Sequence, residues 1–198
     1  MRCSCLPNRI VAGVVGLWLV LLGASGAHAE LLRPFKDDLF AYPKVLASAD
    51  GGRHMSVDYQ IERDLRRRDE VPERRVRRNY VDLAPLKSQQ ELVVKTEVAR
   101  VPHLVVGKPA GARFIVVYLY GQGGNRKQGM NDYTFGGNFN RIKNLAQRNG
   151  GIYLTPDFSD FGPTGARQVA SLLSYYATSA PDARIYLACG SMGGGLCW

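Results

Sequence analysis

An alternation of strand and helix patterns constrains the fold of this chain more than any other feature. In chain order the pattern predicts a strand at 114–120, a helix at 138–149, a strand at 152–155, a helix at 164–179 and a strand at 184–188. The first strand is continuously apolar or aromatic, which indicates burial on both faces, and the last strand is expected to be buried as well. The sequence therefore predicts an α/β fold with a mostly parallel sheet and flanking helices.

Composition agrees with one folded domain. The chain has 198 residues, of which 45% are hydrophobic and 22% charged, and its formal net charge is +9. These values are ordinary for a globular protein and argue against wholesale disorder, a collagen or a polytopic membrane protein. With only 4 cysteines, a small disulfide scaffold is excluded as well.

The first 29 residues resemble an export signal. Arg2 and Arg9 precede an apolar stretch at 10–22, and Ala27-His28-Ala29 has the small-x-small pattern of a cleavage site. We expect cleavage after Ala29 and a periplasmic or extracellular location. An uncleaved membrane anchor over residues 10–27 is the alternative.

Residues 30–112 are charged and mostly irregular, and we interpret them as the N-terminal strands and charged segment of the same domain. The alternation at 54–61 predicts a half-buried strand. Shorter patterns at 92–98 and 104–106 predict edge strands that lead into the core at 113–198.

An arginine-rich run at 62–78 could bind an anionic surface. Its acids are interleaved with its arginines and no aromatic residues separate them, which favours a solvated face. The sequence thus predicts no nucleic-acid binding, and at most a weak contact with anionic surfaces through Arg63 to Arg78.

A glycine-rich segment with one serine follows the last predicted strand. It reads Cys189-Gly190-Ser191-Met192-Gly193, and a serine on such a sharp strand-to-helix turn exposes its hydroxyl at the carboxyl edge of the sheet. The flanking positions must be small because the turn brings backbones together, and Gly193 meets that need. The alternative is an ordinary loop with Ser191 as a helix cap.

A second glycine-rich segment, Gly121-Gln122-Gly123-Gly124-Asn125, follows the first strand. Glycines allow backbone N–H groups to face a substrate, and such donors stabilise the negative charge that develops on an ester carbonyl under attack. The segment lacks the Gly-Lys-Ser/Thr ending of a P-loop and forms no complete dinucleotide fingerprint. No cofactor and no metal site is implied.

Over residues 113–198 these motifs resemble those of the α/β-hydrolase family. The loop that starts at Tyr120 is similar to the His-Gly-x-Gly-Gly loop of esterases and polyester depolymerases, with tyrosine in place of histidine, and residues 189–193 are similar to the nucleophile elbow. The resemblance implies that Ser191 is the nucleophile and that the N–H groups of Gln122 and Met192 form the oxyanion hole. It implies a secreted or periplasmic serine hydrolase acting on a small-molecule, lipid or polyester carboxylic ester.

The catalytic acid and histidine of the family follow the serine in the chain. Here residues 192–198 contain neither, while His54 and His103 precede the core, and we expect His103 to be a surface or edge residue. The sequence therefore predicts an incomplete, C-terminally truncated hydrolase domain, active only if a full-length chain supplies the missing groups. The alternatives are a non-catalytic remnant of the fold and a basic envelope-associated binding protein.

Other features near the serine carry no assigned role. Asp157 is expected near the site, but the motif gives it no function. Cys189 and Cys197 flank Ser191, and whether they pair is open, as is the oligomeric state.

Overall fold

The structure is a computed structural model that describes residues 32–41, 44–70 and 74–198. The predicted export signal at 1–29 and the alternative anchor at 10–27 lie outside the described residues. The first described helix is α1 (Asp37–Phe40). In the part of the chain that the structure describes, no helix is both long and apolar enough to cross a membrane.

Small hairpins precede the central sheet. The antiparallel pairs are β1 (Val45–Ala49) with β2 (His54–Val57), and β3 (Asp69–Glu70) with β4 (Arg75–Val76). The predicted strand is confirmed at 54–57, but its extension to residue 61 and its half-burial are wrong, because β2 ends at Val57 and the side chains of Met55 and Tyr59 are exposed. The physical reason is that β1 and β2 form a separate sheet of two strands, so the alternating apolar residues do not face the main core.

The arginine-rich segment neutralises much of its charge internally. Arg63 Nε lies 2.8 Å from Asp64 Oδ1, and this hydrogen bond lowers the pKa of Asp64 to about 2. Arg68 and Arg74 both contact the buried Asp69, at 2.6 and 3.4 Å. A contact between this segment and an anionic surface would compete with these ion pairs, and it stays a prediction.

The central sheet is mixed and has five strands in the order β5-β6-β8-β7-β9. The strands are β5 (Gln90–Lys95), β6 (Arg100–Val106), β7 (Phe114–Leu119), β8 (Ile152–Pro156) and β9 (Arg184–Cys189). β7 pairs in parallel with β8 and β9, whereas β6 pairs antiparallel with β5 and β8. The predicted α/β fold is confirmed. The predicted edge position is correct for β5 and wrong for β6, which lies between β5 and β8.

Helices cover both faces of the sheet. They are α2 (Asn138–Arg148), α3 (Pro163–Ser179) and the short α4 (Gly194–Cys197). Alternate side chains of a strand point to opposite faces, and those of β7 divide accordingly. Ile115, Val117 and Leu119 pack in one core cluster with Val169, Leu172 and Tyr176 of α3, whereas Phe114, Val116 and Tyr118 pack with Phe139 and Ala146 of α2. The strand β7 is therefore held between two helices.

Helix α2 also buries polar side chains that its apolar spacing does not predict. Asn140, Lys143 and Asn144 are at most 2% exposed. Lys143 Nζ donates to the carbonyl oxygen of Met130 at 2.8 Å, and Asn140 Nδ2 donates to Asp132 Oδ1 at 2.6 Å. Burial lowers the pKa of Lys143. This polar network ties α2 to the loop that follows the first glycine-rich segment.

Strand β9 is more exposed than its apolar sequence predicts. Ile185, Tyr186 and Leu187 are 40%, 51% and 41% exposed, so the prediction of a buried last strand is wrong. β9 lies at the edge of the sheet and pairs with β7 on one side. Whether such a strand is buried depends on its position in the sheet and on the helices packed against it, not on its own apolar sequence.

Candidate functional site

Ser191 lies immediately beyond the carboxyl end of β9. The N–H of Gly190 donates to the carbonyl oxygen of Leu119 at 2.9 Å, which continues the pairing with β7 into the turn. Ser191 then has a φ of 51°, a left-handed conformation that is uncommon for a residue other than glycine. The side chain is exposed at this sharp turn, where a helical turn at Ser191–Gly193 leads into α4.

The alternative that Ser191 caps a helix does not agree with the structure. The cap position of the turn at Ser191–Gly193 belongs to Gly190, and that of α4 belongs to Gly193, with no side-chain capping bond at either. The left-handed φ at Ser191 is therefore not the consequence of a capping role. Strained backbone of this kind is often found at functional sites.

Close backbone contacts explain the glycines around the serine. A Cβ at Gly193 would lie 2.5 Å from the carbonyl oxygens of both Leu119 and Tyr120, and one at Gly190 would lie 2.7 Å from the hydroxyl of Tyr118. Because the atoms that Gly193 meets belong to the backbone, the neighbours cannot move aside cheaply. The turn thus requires glycine two residues after the serine, as the motif predicts.

The first glycine-rich loop lies directly against the serine. A Cβ at Gly121 would lie 2.7 Å from Ser191 Cβ and 3.3 Å from Ser191 Oγ. The peptide after Gly121 carries the N–H of Gln122, and the peptide after Ser191 carries that of Met192. The structure therefore brings together the two segments that contain Gln122, Ser191 and Met192, the residues to which the sequence assigns a role at the site. The side chains of Gln122 and Met192 are exposed.

Tyr120, which replaces the histidine of the esterase loop, ties that loop to the segment after β8. It is 7% exposed, and its ring stacks on Phe158 with centroids 4.4 Å apart and an interplanar angle of 11°. The N–H of Phe158 donates to the Tyr120 hydroxyl at 3.4 Å. Burial raises the pKa of Tyr120, so its hydroxyl stays neutral at physiological pH.

Arg126 and Asp157 form a second connection that sequence reasoning missed. The backbone N–H of Arg126 donates to Asp157 Oδ1 at 2.7 Å, and its guanidinium donates to the other carboxylate oxygen. The same guanidinium contacts Glu91 on β5, which lowers the pKa of Glu91. The only sequence signal for this pair is that each residue follows a predicted strand.

Cys189 and Cys197 form a disulfide with a Cα–Cα distance of 6.7 Å. This distance lies within the range of natural disulfides. The bond joins the last residue of β9 to the last residue of α4, so it encloses Ser191 in a short loop. The sequence left this pairing open.

The described histidines are bonded elsewhere in the fold. His103 is fully buried, which contradicts the expected surface or edge position. Its Nε2 lies 2.6 Å from the Tyr176 hydroxyl, and its Nδ1 lies 3.0 Å from the Val101 carbonyl oxygen. The position is buried because β6 is an inner strand covered by α3. His54 is exposed and lies 3.4 Å from Asp50 in the first hairpin. Within residues 32–41, 44–70 and 74–198, no group of His, Cys, Asp or Glu is arranged to hold a metal.

Comparisons with known proteins find similarity in structure only. No protein-family model matches the sequence, and no curated protein matches it either. Solved structures do match, among them an esterase from Pyrobaculum calidifontis, with 16% identity and a TM-score of 0.41 over 55% of this chain and 36% of that chain.

Two further matches have similar coverage. A highly thermostable carboxyl esterase from Bacillus coagulans is 15% identical, with a TM-score of 0.37 over 50% of this chain and 35% of that chain. The Cif epoxide hydrolase from Acinetobacter nosocomialis is 12% identical, with a TM-score of 0.39 over 57% of this chain and 33% of that chain. This chain spans about a third of the length of the solved structures that it matches. The likeness to these proteins is one of structure alone, and it covers about half of this chain.

Proposed function

We propose that this chain carries the nucleophile and the oxyanion-binding groups of an exported serine hydrolase that cleaves carboxylic esters. Ser191 is the nucleophile, and the backbone N–H groups of Gln122 and Met192 receive the negative charge. The observation that carries the proposal is the closeness of Gly121 to Ser191, where even a Cβ on the glycine would lie 2.7 Å from Ser191 Cβ and 3.3 Å from Ser191 Oγ.

The chemistry follows from that juxtaposition. Ser191 Oγ attacks the ester carbonyl carbon and forms a bond to it, while the carbonyl π electrons move onto the oxygen. Backbone donors stabilise this oxyanion until it collapses and breaks the bond to the alkoxide, which leaves as the alcohol by taking up the proton that the base removed from Oγ. The acyl-enzyme that remains is hydrolysed by water. The loss of one such donor typically lowers the rate about 100- to 1,000-fold.

Turnover at neutral pH also needs a base that takes the Oγ proton. His103 does not serve, because Tyr176 and the Val101 carbonyl occupy its ring nitrogens. His54 is bonded to Asp50 in the first hairpin, so neither described histidine supplies this base, and the proposed activity requires a base and an orienting acid from elsewhere in the protein. The substrate is a small-molecule, lipid or polyester ester, and the exposed Gln122 and Met192 side chains would border it.

A fluorophosphonate probe tests the proposal because it forms a covalent bond with an activated serine. We expect the wild type to be labelled on the peptide that contains Ser191, and Ser191→Ala to be unlabelled. Ser174→Ala is the matched control, since Ser174 is an exposed serine on α3, and it should be labelled like the wild type. A complete, folded chain that stays unlabelled would overturn the proposal and favour the non-catalytic alternative.

A further inference from the structure

The loop after β7 is fixed at both of its ends to the segment after β8. At its start, Tyr120 stacks on Phe158, and the two residues also share hydrogen bonds of 3.4 Å. At its end, Arg126 binds Asp157. The residues between these ends include Gly121, which contacts Ser191, and Gln122.

The contact at Arg126 uses the main chain as well as the side chain. Asp157 accepts one hydrogen bond from the backbone N–H of Arg126 and another from its guanidinium. In addition, the hydroxyl of Thr155 donates to the carbonyl oxygen of Arg126. The backbone at Arg126 is thus held on both sides by residues at the end of β8.

Asp157 itself is well fixed. Its N–H donates to the Pro102 carbonyl oxygen at 2.8 Å, which continues the pairing of β8 with β6 beyond the strand. Its side chain and that of Arg126 are 27% and 23% exposed, so the pair is largely shielded. Charge-assisted, bidentate contacts of this kind hold geometry better than single neutral hydrogen bonds.

From these contacts we propose that the pair of Arg126 and Asp157 positions the Gln122 peptide against Ser191. Neither residue touches the reacting atoms in this role. Two consecutive turns brace the loop from Gly121 to Gln128. The N–H of Gly124 donates to the Gly121 carbonyl at 3.0 Å, and that of Gln128 donates to the Asn125 carbonyl at 3.0 Å. A shift at Arg126 therefore reaches Gln122 through a short, hydrogen-bonded backbone. The inference rests on the proposed function of Ser191 and Gln122.

The test measures the kinetics of fluorophosphonate labelling in the full chain, separating the maximal labelling rate from the probe concentration at half-maximal rate. Displacing an oxyanion donor by about 1 Å is expected to cost up to 100-fold in rate. We expect Asp157→Ala to lower the maximal rate about 10- to 100-fold with little change in half-saturation. Arg126→Ala keeps the backbone hydrogen bond to Asp157, so its maximal labelling rate should fall less than that of Asp157→Ala. Arg126→Lys should have a higher maximal rate than Arg126→Ala.

Lys127→Gln is the matched control, because Lys127 is the exposed neighbour of Arg126 in the same loop, and its labelling rate should change less than about twofold. A wild-type labelling rate in Asp157→Ala, with the protein folded, would overturn the positioning role. Amide hydrogen exchange at Gly124 separates this failure from failure of the proposed function. If the wild type is not labelled, Asp157→Ala should still speed exchange at Gly124, and unchanged exchange would overturn the positioning role independently.

Discussion

Lys143 Nζ lies 2.6 Å from Asp132 Oδ1, and the lysine side chain is completely buried. The pair joins helix α2 to the loop that follows the first glycine-rich segment. A buried cation of this kind is stabilised only by its partners, and the carboxylate is likewise satisfied by Lys143 and Asn140. The pair therefore specifies how α2 docks on the sheet.

Replacement of Lys143 by methionine should destabilise the fold strongly. The variant keeps much of the side-chain volume but leaves the Asp132 carboxylate without its buried cation. We expect a loss of about 3–5 kcal/mol in the free energy of unfolding, measured by urea denaturation. Lys127→Met, at an exposed position, should change it by less than about 0.5 kcal/mol. Equal midpoints for the two variants would contradict a structural role for the buried pair.

The buried hydrogen bond between His103 and Tyr176 leads us to expect a lower free energy of unfolding in mild acid. The Val101 carbonyl can only accept, so His103 Nδ1 carries the proton and Nε2 accepts the hydrogen bond from the Tyr176 hydroxyl. Desolvation lowers the pKa of His103 below its ordinary value of about 6.5. Between the folded and the unfolded pKa the unfolded chain binds more protons, so stability falls as the pH falls below about 6.5. The largest slope from this residue is about 1.4 kcal/mol per pH unit.

Urea denaturation at pH 7.5 and 5.5 measures this slope, which should be shallower in His103→Gln than in the wild type. Tyr176→Phe leaves Nε2 unsatisfied and should cost about 1–3 kcal/mol at pH 7.5. Tyr175→Phe is its control, because Tyr175 is the exposed neighbour on the same helix, and it should be nearly neutral. An identical pH dependence in wild type and His103→Gln would show that other groups produce the acid sensitivity.

Gly193 and Gly194 are adjacent glycines just after Ser191, and alanine substitution at the two positions provides a test of the turn and its control. A methyl group at Gly193 would meet backbone oxygens at 2.5 Å, whereas a methyl group at Gly194 meets nothing within 4 Å. We expect Gly193→Ala to lower the free energy of unfolding by about 1–3 kcal/mol and to slow labelling of Ser191, because the turn must shift. Gly194→Ala should be neutral or slightly stabilising, since alanine favours helix more than glycine does. Parallel unfolding curves and labelling rates for the two variants would contradict this packing.

Patterns that depend on local sequence were predictable. The strands β7 and β8 and the helices α2 and α3 follow from buried runs, helical spacing and the glycine or proline residues at or just beyond their ends. The juxtaposition of Gly121 with Ser191 was predictable too, because both follow parallel strands, and the carboxyl ends of neighbouring parallel strands meet at one edge of the sheet.

Features that depend on distant partners were not predictable. The burial of His103 is decided by Tyr176, which lies 73 residues away, and a histidine between proline and leucine gives no sign of it. Lys143 occupies a helical position where a charged residue usually faces water, and its burial is made tolerable by Asp132 and the Met130 carbonyl, which the local sequence does not reveal. The exposure of β9 follows from strand order, which a single apolar run does not encode.

Under the proposed function, the contact between Gly121 and Ser191 separates reactivity from recognition. Peptide groups do the work on the oxyanion, while the side chains of Gln122 and Met192 extend outward from those same peptides. Evolution, or a designer, can then exchange these two side chains to change which ester is accepted while the backbone that stabilises the charge stays in place. The glycines have no such freedom. Substitutions that change substrate preference are therefore expected at residues 122 and 192 and not at residues 121, 190 and 193.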